Sequence, residues 1–184
     1  MPLYIYPVLR RILLPRTERR IGFAASTMAS LSRVWKDKRR TVSTRIRLYH
    51  AVVVLVMVYA AETWTLLAAD VRSLEAFCMR CQRQILRIRW YDYIWNDEVA
   101  FHTGLPPIMD HILNRRCALF GHIAHLPKSI PANQALCCHV DPSLGRPPQR
   151  TWRCRPGRPR NSWLEQIRQD SGSSSADLWH TAVI

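Results

Sequence analysis

The sequence has no apolar run long enough to cross a membrane. The longest run, Ala51 to Ala61, has eleven residues, whereas a membrane-spanning helix needs about 20. Residues 1–16 lack the clean apolar stretch and the small-residue cleavage site of a secretory signal. These absences favour an intracellular protein, cytoplasmic or nuclear, with free thiols and no membrane partner.

Acidic residues are scarce. The 184 residues include 13 Asp and Glu against 27 Lys and Arg, which gives a formal net charge of +14. Such an excess favours a polyanionic partner, and we expect nucleic acid, RNA or DNA, bound without sequence specificity. A basic protein that lies on an anionic membrane surface is the alternative explanation of the same charge.

The patterns of common catalytic sites are also missing. The sequence shows no Gly-rich phosphate loop, no Ser/His/Asp order and no pair of metal-binding carboxylates. Tyr91-Asp92-Tyr93 offers one carboxylate, which cannot hold the two metal ions of a polymerase. We therefore expect no enzyme activity and no cofactor.

Helical periodicity is what the sequence does contain, and it predicts an all-α fold, an irregular bundle of about five helices. The helix that contains Val52–Val58 is expected to be the central core element. The predicted helices run over Glu18–Trp35, from an N-cap at Ser43 or Thr44 to Leu67, over Asp70–Arg89, from Asn96 or Asp97 to Gly104, from Pro106 or Pro107 to Leu126, and over Ala132–Cys138.

The third predicted helix has two different faces. Its apolar seam, Val71 to Ile88 at steps of three and four, includes Cys78 and Cys81. Buried thiols are favoured there over half of a zinc site, since free cysteine is often a core residue. Away from the seam, three arginines follow at i, i+3 and i+7, either as a solvated face or as a phosphate-binding stripe.

Residues 142–160 hold six Arg, five Pro and no acid, which predicts an extended basic linker that neutralises phosphates. A minor-groove hook is the narrower alternative, because arginines flank a Gly/Pro turn. Trp152 and Trp163 flank the segment Arg153–Arg160 and either stack on bases or cover a small core. The predicted nucleic-acid-binding residues are Arg80, Arg83, Arg87, Arg115, Arg116, Arg150, Arg153, Arg155, Arg158 and Arg160.

A second group of residues has metal-ligand chemistry but no standard spacing. Its order, Cys-x4-His-x2-His followed by Cys-Cys-His, matches no zinc finger. We expect no bound metal, and a zinc-dependent nucleic-acid-binding module stays an alternative. The residues are Cys117, His122, His125, Cys137, Cys138 and His139.

Composition predicts four segments. Residues 1–17 form an N-terminal segment whose composition does not match that of the rest of the chain. Residues 18–141 form a helical domain, 142–160 the basic linker, and 161–184 a helical tail. The tail ends within a helical pattern, which predicts a truncated end.

An ordered series of short motifs resembles the C-terminal region of non-LTR (LINE-type) retrotransposon endonuclease–reverse transcriptases. The resemblance covers about residues 19–184, and residues 1–18 do not fit it. Each motif is weak alone, and their order makes the series specific. The motifs are Leu48-Tyr49, Tyr59–Leu66, Leu74–Cys81, Gln84–Trp90, Asn96–Val99, Thr103–Pro107, Leu119–Ala124 and Pro156–Arg160.

The resemblance implies a thumb-like helical region that follows the polymerase palm and grips template and primer. The family's catalytic aspartates and endonuclease lie upstream of this region, so RNA-directed DNA synthesis is expected of the parent protein and not of this chain. A separate palm domain is then an expected partner. His122, in Phe120-Gly121-His122, is expected to serve helix packing or a phosphate contact. A non-functional translated remnant is the other alternative.

Overall fold

The computed structural model describes residues 16–146 and 162–183, and the chain divides into two compact units. Unit 1 comprises residues 16–59 and 67–109 of the described chain, and unit 2 comprises residues 60–66, 110–146 and 162–183. The regular structure in these ranges is helical throughout, without a strand. The predicted all-α class is therefore confirmed.

The helices are numbered in chain order within each unit. Those of unit 1 are α1 Arg16–Ser30, α2 Ser32–Lys36, α3 Val42–Leu48, a π-helix Tyr49–Val54, α4 Leu55–Met57, α5 Ala68–Leu86, a 3-10 turn Trp90–Asp92 and α6 Asn96–Thr103. Those of unit 2 are a 3-10 turn Ala61–Thr63, α7 Ile108–Ala124 (of which residues 110–124 belong to unit 2), α8 Pro131–Val140, a 3-10 turn Asp141–Leu144, α9 Trp163–Ser171 and α10 Ser175–Val183.

The core of unit 1 forms around α5. Helix α1 packs against the π-helix, α4 and α5, and α3 and α6 also pack against α5. The middle of the predicted seam is buried as expected for an amphipathic helix, at Leu74, Cys78, Cys81 and Ile85. Its ends, at residues 71 and 88, are half-buried. The two cysteines are core thiols, as predicted.

Burial makes these two thiols poor nucleophiles. It raises the pKa of Cys78 to about 11 and that of Cys81 to about 12, so little thiolate forms near pH 8. Cys138 is exposed on α8. We expect iodoacetamide to alkylate Cys138 at least about 100-fold faster than Cys78 or Cys81 in the folded protein. Peptide mass spectrometry measures the three rates, and unfolding in guanidinium should equalise them; equal rates in the native protein would contradict the buried seam.

The second predicted helix is shorter than expected, and its prediction to Leu67 was wrong. Regular helix ends at Met57, and Ala60 adopts a left-handed conformation with φ 60°. The residues beyond it bond within unit 2 instead of continuing the helix: Leu66, for example, exchanges two hydrogen bonds with the Gln166 amide. Tertiary hydrogen bonds have replaced the helical ones.

Helix starts also differ from the prediction by a few residues. The N-cap of α3 is Thr41, whose hydroxyl accepts from the Thr44 amide at 3.2 Å, and not Ser43 or Thr44. The first predicted helix divides at Leu31 into α1 and α2. Trp35 in α2 packs against α1, and its indole donates to the Met28 carbonyl at 2.8 Å.

The core of unit 2 joins three helices. Phe120 and Ala124 of α7 pack with Leu136 and Val140 of α8, and α9 adds two further apolar residues, Leu164 and Ile167. Residues 162–183 of the predicted tail thus belong to a unit whose core includes α7 and α8, and the predicted domain 18–141 is divided between the two units. Of the predicted linker, residues 147–160 lie outside the described residues.

Within the described ranges, no helix combines the length and the apolar composition that a bilayer-spanning segment requires.

Candidate nucleic-acid interface

Positive charge is distributed unequally between the two units. The described part of unit 1 contains 15 Lys and Arg against 7 Asp and Glu, whereas that of unit 2 contains 5 against 6. The positive charge of the described residues is therefore concentrated on unit 1. The arginines predicted at positions 150, 153, 155, 158 and 160 lie outside the described residues.

One basic segment of unit 1 is held against the end of α5. We call residues 36–40 the basic loop. Arg87 donates to the Lys36 carbonyl at 2.9 Å. The buried Arg45 donates to the carbonyls of Ile85 at 2.7 Å and of Arg40 at 3.3 Å. These three hydrogen bonds fix both ends of the basic loop beside the C-terminal end of α5.

The basic loop presents its cations to solvent. Lys36, Lys38, Arg39 and Arg40 are exposed. Its one acid, Asp37, is half-buried, accepts the backbone N–H of Arg39 at 2.9 Å and pairs with Arg40 at 3.4 Å. None of these cations is among the predicted nucleic-acid-binding residues, although a run of four cations in five residues was a signal visible in the sequence.

Helix α5 ends earlier than predicted, and this changes the expected arginine stripe. The helix stops at Leu86, and Arg87 takes a left-handed conformation with φ 63°. The Ile88 and Arg87 amides then bond back to the carbonyls of Arg83 and Gln84 at 2.9 and 3.2 Å, the pattern of a Schellman C-cap. Arg87 is exposed but leaves the helix, so the i, i+3, i+7 stripe is not one helix face.

The other two arginines of that stripe have different surroundings. Arg80 is exposed on α5. Arg83 is half-buried and donates to the Ile94 carbonyl at 2.7 Å and to the Asn96 side chain at 2.9 Å. Arg83 therefore holds the chain before α6 against α5, while Arg80 is accessible to a phosphate.

Arg116 does not lie on a binding surface, and its assignment to one was wrong. Its side chain is fully buried in unit 2, where it pairs with Asp170. It also donates to the Trp64 carbonyl at 2.8 Å and to Gln166 Oε1 at 3.0 Å. Burial lowers the pKa of Arg116, and Asp170 opposes that shift by favouring the charged form. The guanidinium thus serves a buried polar network and not an external phosphate.

Arg115 and Trp163 are also engaged within unit 2. Arg115 is half-buried and lies 3.6 Å from the Glu62 carboxylate. Trp163 packs against the core of unit 2 and its indole donates to the Glu62 carbonyl. Of the two alternatives for this tryptophan, the structure shows the one that covers a core.

The cysteines and histidines of the zinc alternative are not brought together. Over residues 16–146 and 162–183, no three His, Cys, Asp or Glu side chains lie close enough to hold a metal ion. Cys117 packs against the core of unit 2, and the Cys137 thiol donates to the Asn133 side chain at 3.5 Å. His122 is exposed on α7, which disfavours its helix-packing alternative.

Exposed aromatic rings follow directly after the end of α5. We call residues 90–95 the aromatic turn. Trp90, Tyr93 and Trp95 are 85, 84 and 81% exposed, and Tyr91 is 45% exposed. These rings had no predicted role, because the exposure of a ring depends on where the rest of unit 1 packs.

No family model, curated protein or solved structure matches this chain.

Proposed function

We propose that this chain is a catalytically incomplete, nucleic-acid-binding helical module, corresponding to the C-terminal region of a non-LTR retrotransposon reverse transcriptase. The ordered motifs of the sequence support the family assignment. The binding function is carried by one observation, the basic loop fixed at the end of α5 with four exposed cations.

The basic loop suits phosphates because it offers several cations without a matching set of acids. Each phosphate that a lysine or arginine neutralises releases counterions, so affinity falls as salt rises. For about four contacts on duplex DNA the slope of log affinity against log salt is about −3.6. Affinity would then fall about a hundredfold between about 50 and 200 mM salt. Exposed Arg80 and Arg87 add cations near the same end of α5.

In this proposal the chain binds and positions nucleic acid, and a separate palm domain supplies RNA-directed DNA synthesis. This role requires an intracellular location, cytoplasmic or nuclear, where the nucleic acid is present. The binding is not sequence-specific, because contacts to phosphates carry no sequence information.

A salt series on matched charge variants tests the binding function. Anisotropy of labelled single-stranded RNA and duplex DNA gives affinities from about 50 to 200 mM salt. We expect Lys36→Gln, Lys38→Gln and Arg39→Gln together to make the salt slope shallower by about 2 to 3. Neutralising the five arginines at positions 150–160 should have a separate effect on the slope, because that segment holds no acid.

The matched control removes the same charge from unit 2. Lys128→Gln, Arg146→Gln and Arg168→Gln change three exposed cations of that unit and should leave the slope nearly unchanged. Equal effects of the two triple variants would refute the basic loop as the binding surface. Absence of binding at the lowest salt would refute the proposed function and favour an inert remnant.

A further inference from the structure

We infer that the aromatic turn is a base-stacking surface for single-stranded nucleic acid. This inference rests on the proposed function and deepens it, since it names single strands, and not duplexes, as the preferred ligand. The observation behind it is the juxtaposition, at one end of α5, of exposed flat rings and the fixed basic loop.

The rings are exposed although unit 1 has a core that could cover such residues. Trp90, Tyr93 and Trp95 each leave more than four-fifths of their surface in solvent, whereas Trp35 and Tyr49 of the same unit are almost fully buried. A folded domain gains free energy by burying aromatic side chains. Three such rings within six residues therefore form a surface that the fold itself does not use.

The backbone that carries the rings is held in place. The Arg89 amide donates to the Asp92 carboxylate at 2.6 Å at the start of the turn. At the end of the turn, Arg83 donates hydrogen bonds to the Ile94 carbonyl and to the Asn96 side chain. Trp90 and Tyr91 meet edge to face with 5.6 Å between ring centroids. A platform fixed at both ends loses little conformational entropy when a base stacks on it.

Cations lie next to the rings. The Arg89 guanidinium donates to the Tyr91 hydroxyl and lies 5.7 Å from the centroid of that ring. Arg87, two residues earlier, bonds to Lys36 and so connects the end of α5 to the basic loop. Single-strand-binding proteins combine these two elements, aromatic rings that stack on bases and a basic track for the backbone.

Two of the three acids near the turn have local partners. Asp92 accepts the Arg89 amide. Glu98 lies 3.8 Å from His102 on α6. Asp97 is in the first turn of α6, where the helix dipole favours a carboxylate. Together with Asp37 of the basic loop these acids number four, against the four arginines at positions 80, 83, 87 and 89 and the four cations of the basic loop, so cations are in excess.

Single strands fit this surface better than duplexes because their bases can unstack. In a duplex both faces of each base are covered by its neighbours, and only the ends offer a free face. Stacking of bases on aromatic side chains contributes affinity that depends little on sequence. The cations nearby contribute the remaining affinity by neutralising phosphates. A protein partner is the other class of ligand for exposed rings, and the excess of cations disfavours it.

The test compares single-stranded and duplex probes on the full chain. Labelled oligo(dT) and oligo(U) of about 20 nucleotides are titrated beside a duplex of equal length. We expect the combined variant Trp90→Ala, Tyr93→Ala and Trp95→Ala to weaken single-strand binding by about 10- to 100-fold. Duplex binding should change less than about threefold, and the salt slopes should stay the same, because no charge is altered.

Two further variants show whether lost affinity is due to lost base stacking, to unfolding, or to a general loss of exposed apolar surface. Replacing the same three residues with phenylalanine keeps a ring at each position and should restore single-strand affinity to within about threefold. Phe23→Ala removes an exposed ring from α1, outside the turn, and should have no effect. Quenching of tryptophan fluorescence by oligo(dT) in the unchanged protein should diminish in the phenylalanine variant although binding persists.

The outcomes are distinguishable. Unchanged single-strand affinity in the alanine variant overturns the inference, and so does an equal loss on duplex DNA. Sedimentation that shows a dimer converted to monomer, with nucleic-acid binding unchanged, overturns it in favour of a protein interface. Absence of binding to every probe at low salt is the failure of the proposed function itself.

Discussion

Replacing Arg116 with alanine is expected to destabilise unit 2 by about 3–5 kcal/mol, the typical cost of removing one partner from a buried ion pair. The guanidinium is fully buried and bonds to Asp170, Gln166 and the Trp64 carbonyl. Its removal leaves the Trp64 carbonyl without this donor and Asp170 without its ion-pair partner, whereas Gln166 Oε1 keeps the Leu66 N–H. Urea denaturation measures the loss, and hydrogen exchange by mass spectrometry locates it to residues 60–66 and 162–171.

The neighbouring arginine provides the control. Arg115 pairs with Glu62 at 3.6 Å and its side chain is 41% exposed. This pair is partly exposed and looser than the Arg116–Asp170 pair, so Arg115→Ala should cost about 1 kcal/mol, well below the cost of Arg116→Ala. Equal losses for the two variants would show that Arg116 is not the buried centre of the network. Nucleic-acid affinity should be unaffected in Arg116→Ala at temperatures where unit 2 remains folded.

Replacing Met57 with alanine is expected to destabilise unit 1 by about 2–5 kcal/mol. Met57 is fully buried in α4, which packs against α1. Truncation removes its transfer free energy and leaves a cavity that the surrounding helices fill only in part. Urea denaturation followed by circular dichroism gives the change in the free energy of unfolding.

A residue of the same short helix serves as the comparison. Leu55 is 47% exposed, so Leu55→Ala removes less buried surface and should cost less than about 1 kcal/mol. A cost for Leu55→Ala as large as that for Met57→Ala would refute the packing of α4 described above. The pair thus tests which face of this segment lies in the core.

Much of the local structure could be predicted because it depends on near neighbours. The seam of α5 was predicted from apolar residues at steps of three and four, and Cys78 and Cys81 are buried on it. The predicted end of α6 at Gly104 was also correct, since a left-handed C-cap with φ 62° favours glycine. Both features follow from spacing and residue type within about one or two helical turns.

The candidate site was predicted less well, because the presence of an arginine in the sequence does not show which groups it will hydrogen-bond in the fold. Arg80 and Arg87 are exposed as expected, whereas Arg83 is half-buried and bonded to the chain before α6. The basic loop was visible as a charge run, but only the hydrogen bonds from Arg45 and Arg87 place it beside α5. The aromatic turn had no predicted role, since exposure of a ring depends on packing elsewhere in unit 1.

Sequence alone was enough to predict the helical class, the buried face of α5 and the excess of positive charge, because these are properties of composition and short-range spacing. Contacts between distant segments set where the helix after Thr41 ends and which arginines face solvent. Arg116 bonds to Asp170, 54 residues further along the chain, and to Trp64, 52 residues before it. Whether a charged side chain is buried depends on partners that distant segments bring to it, and local periodicity contains no information about those partners.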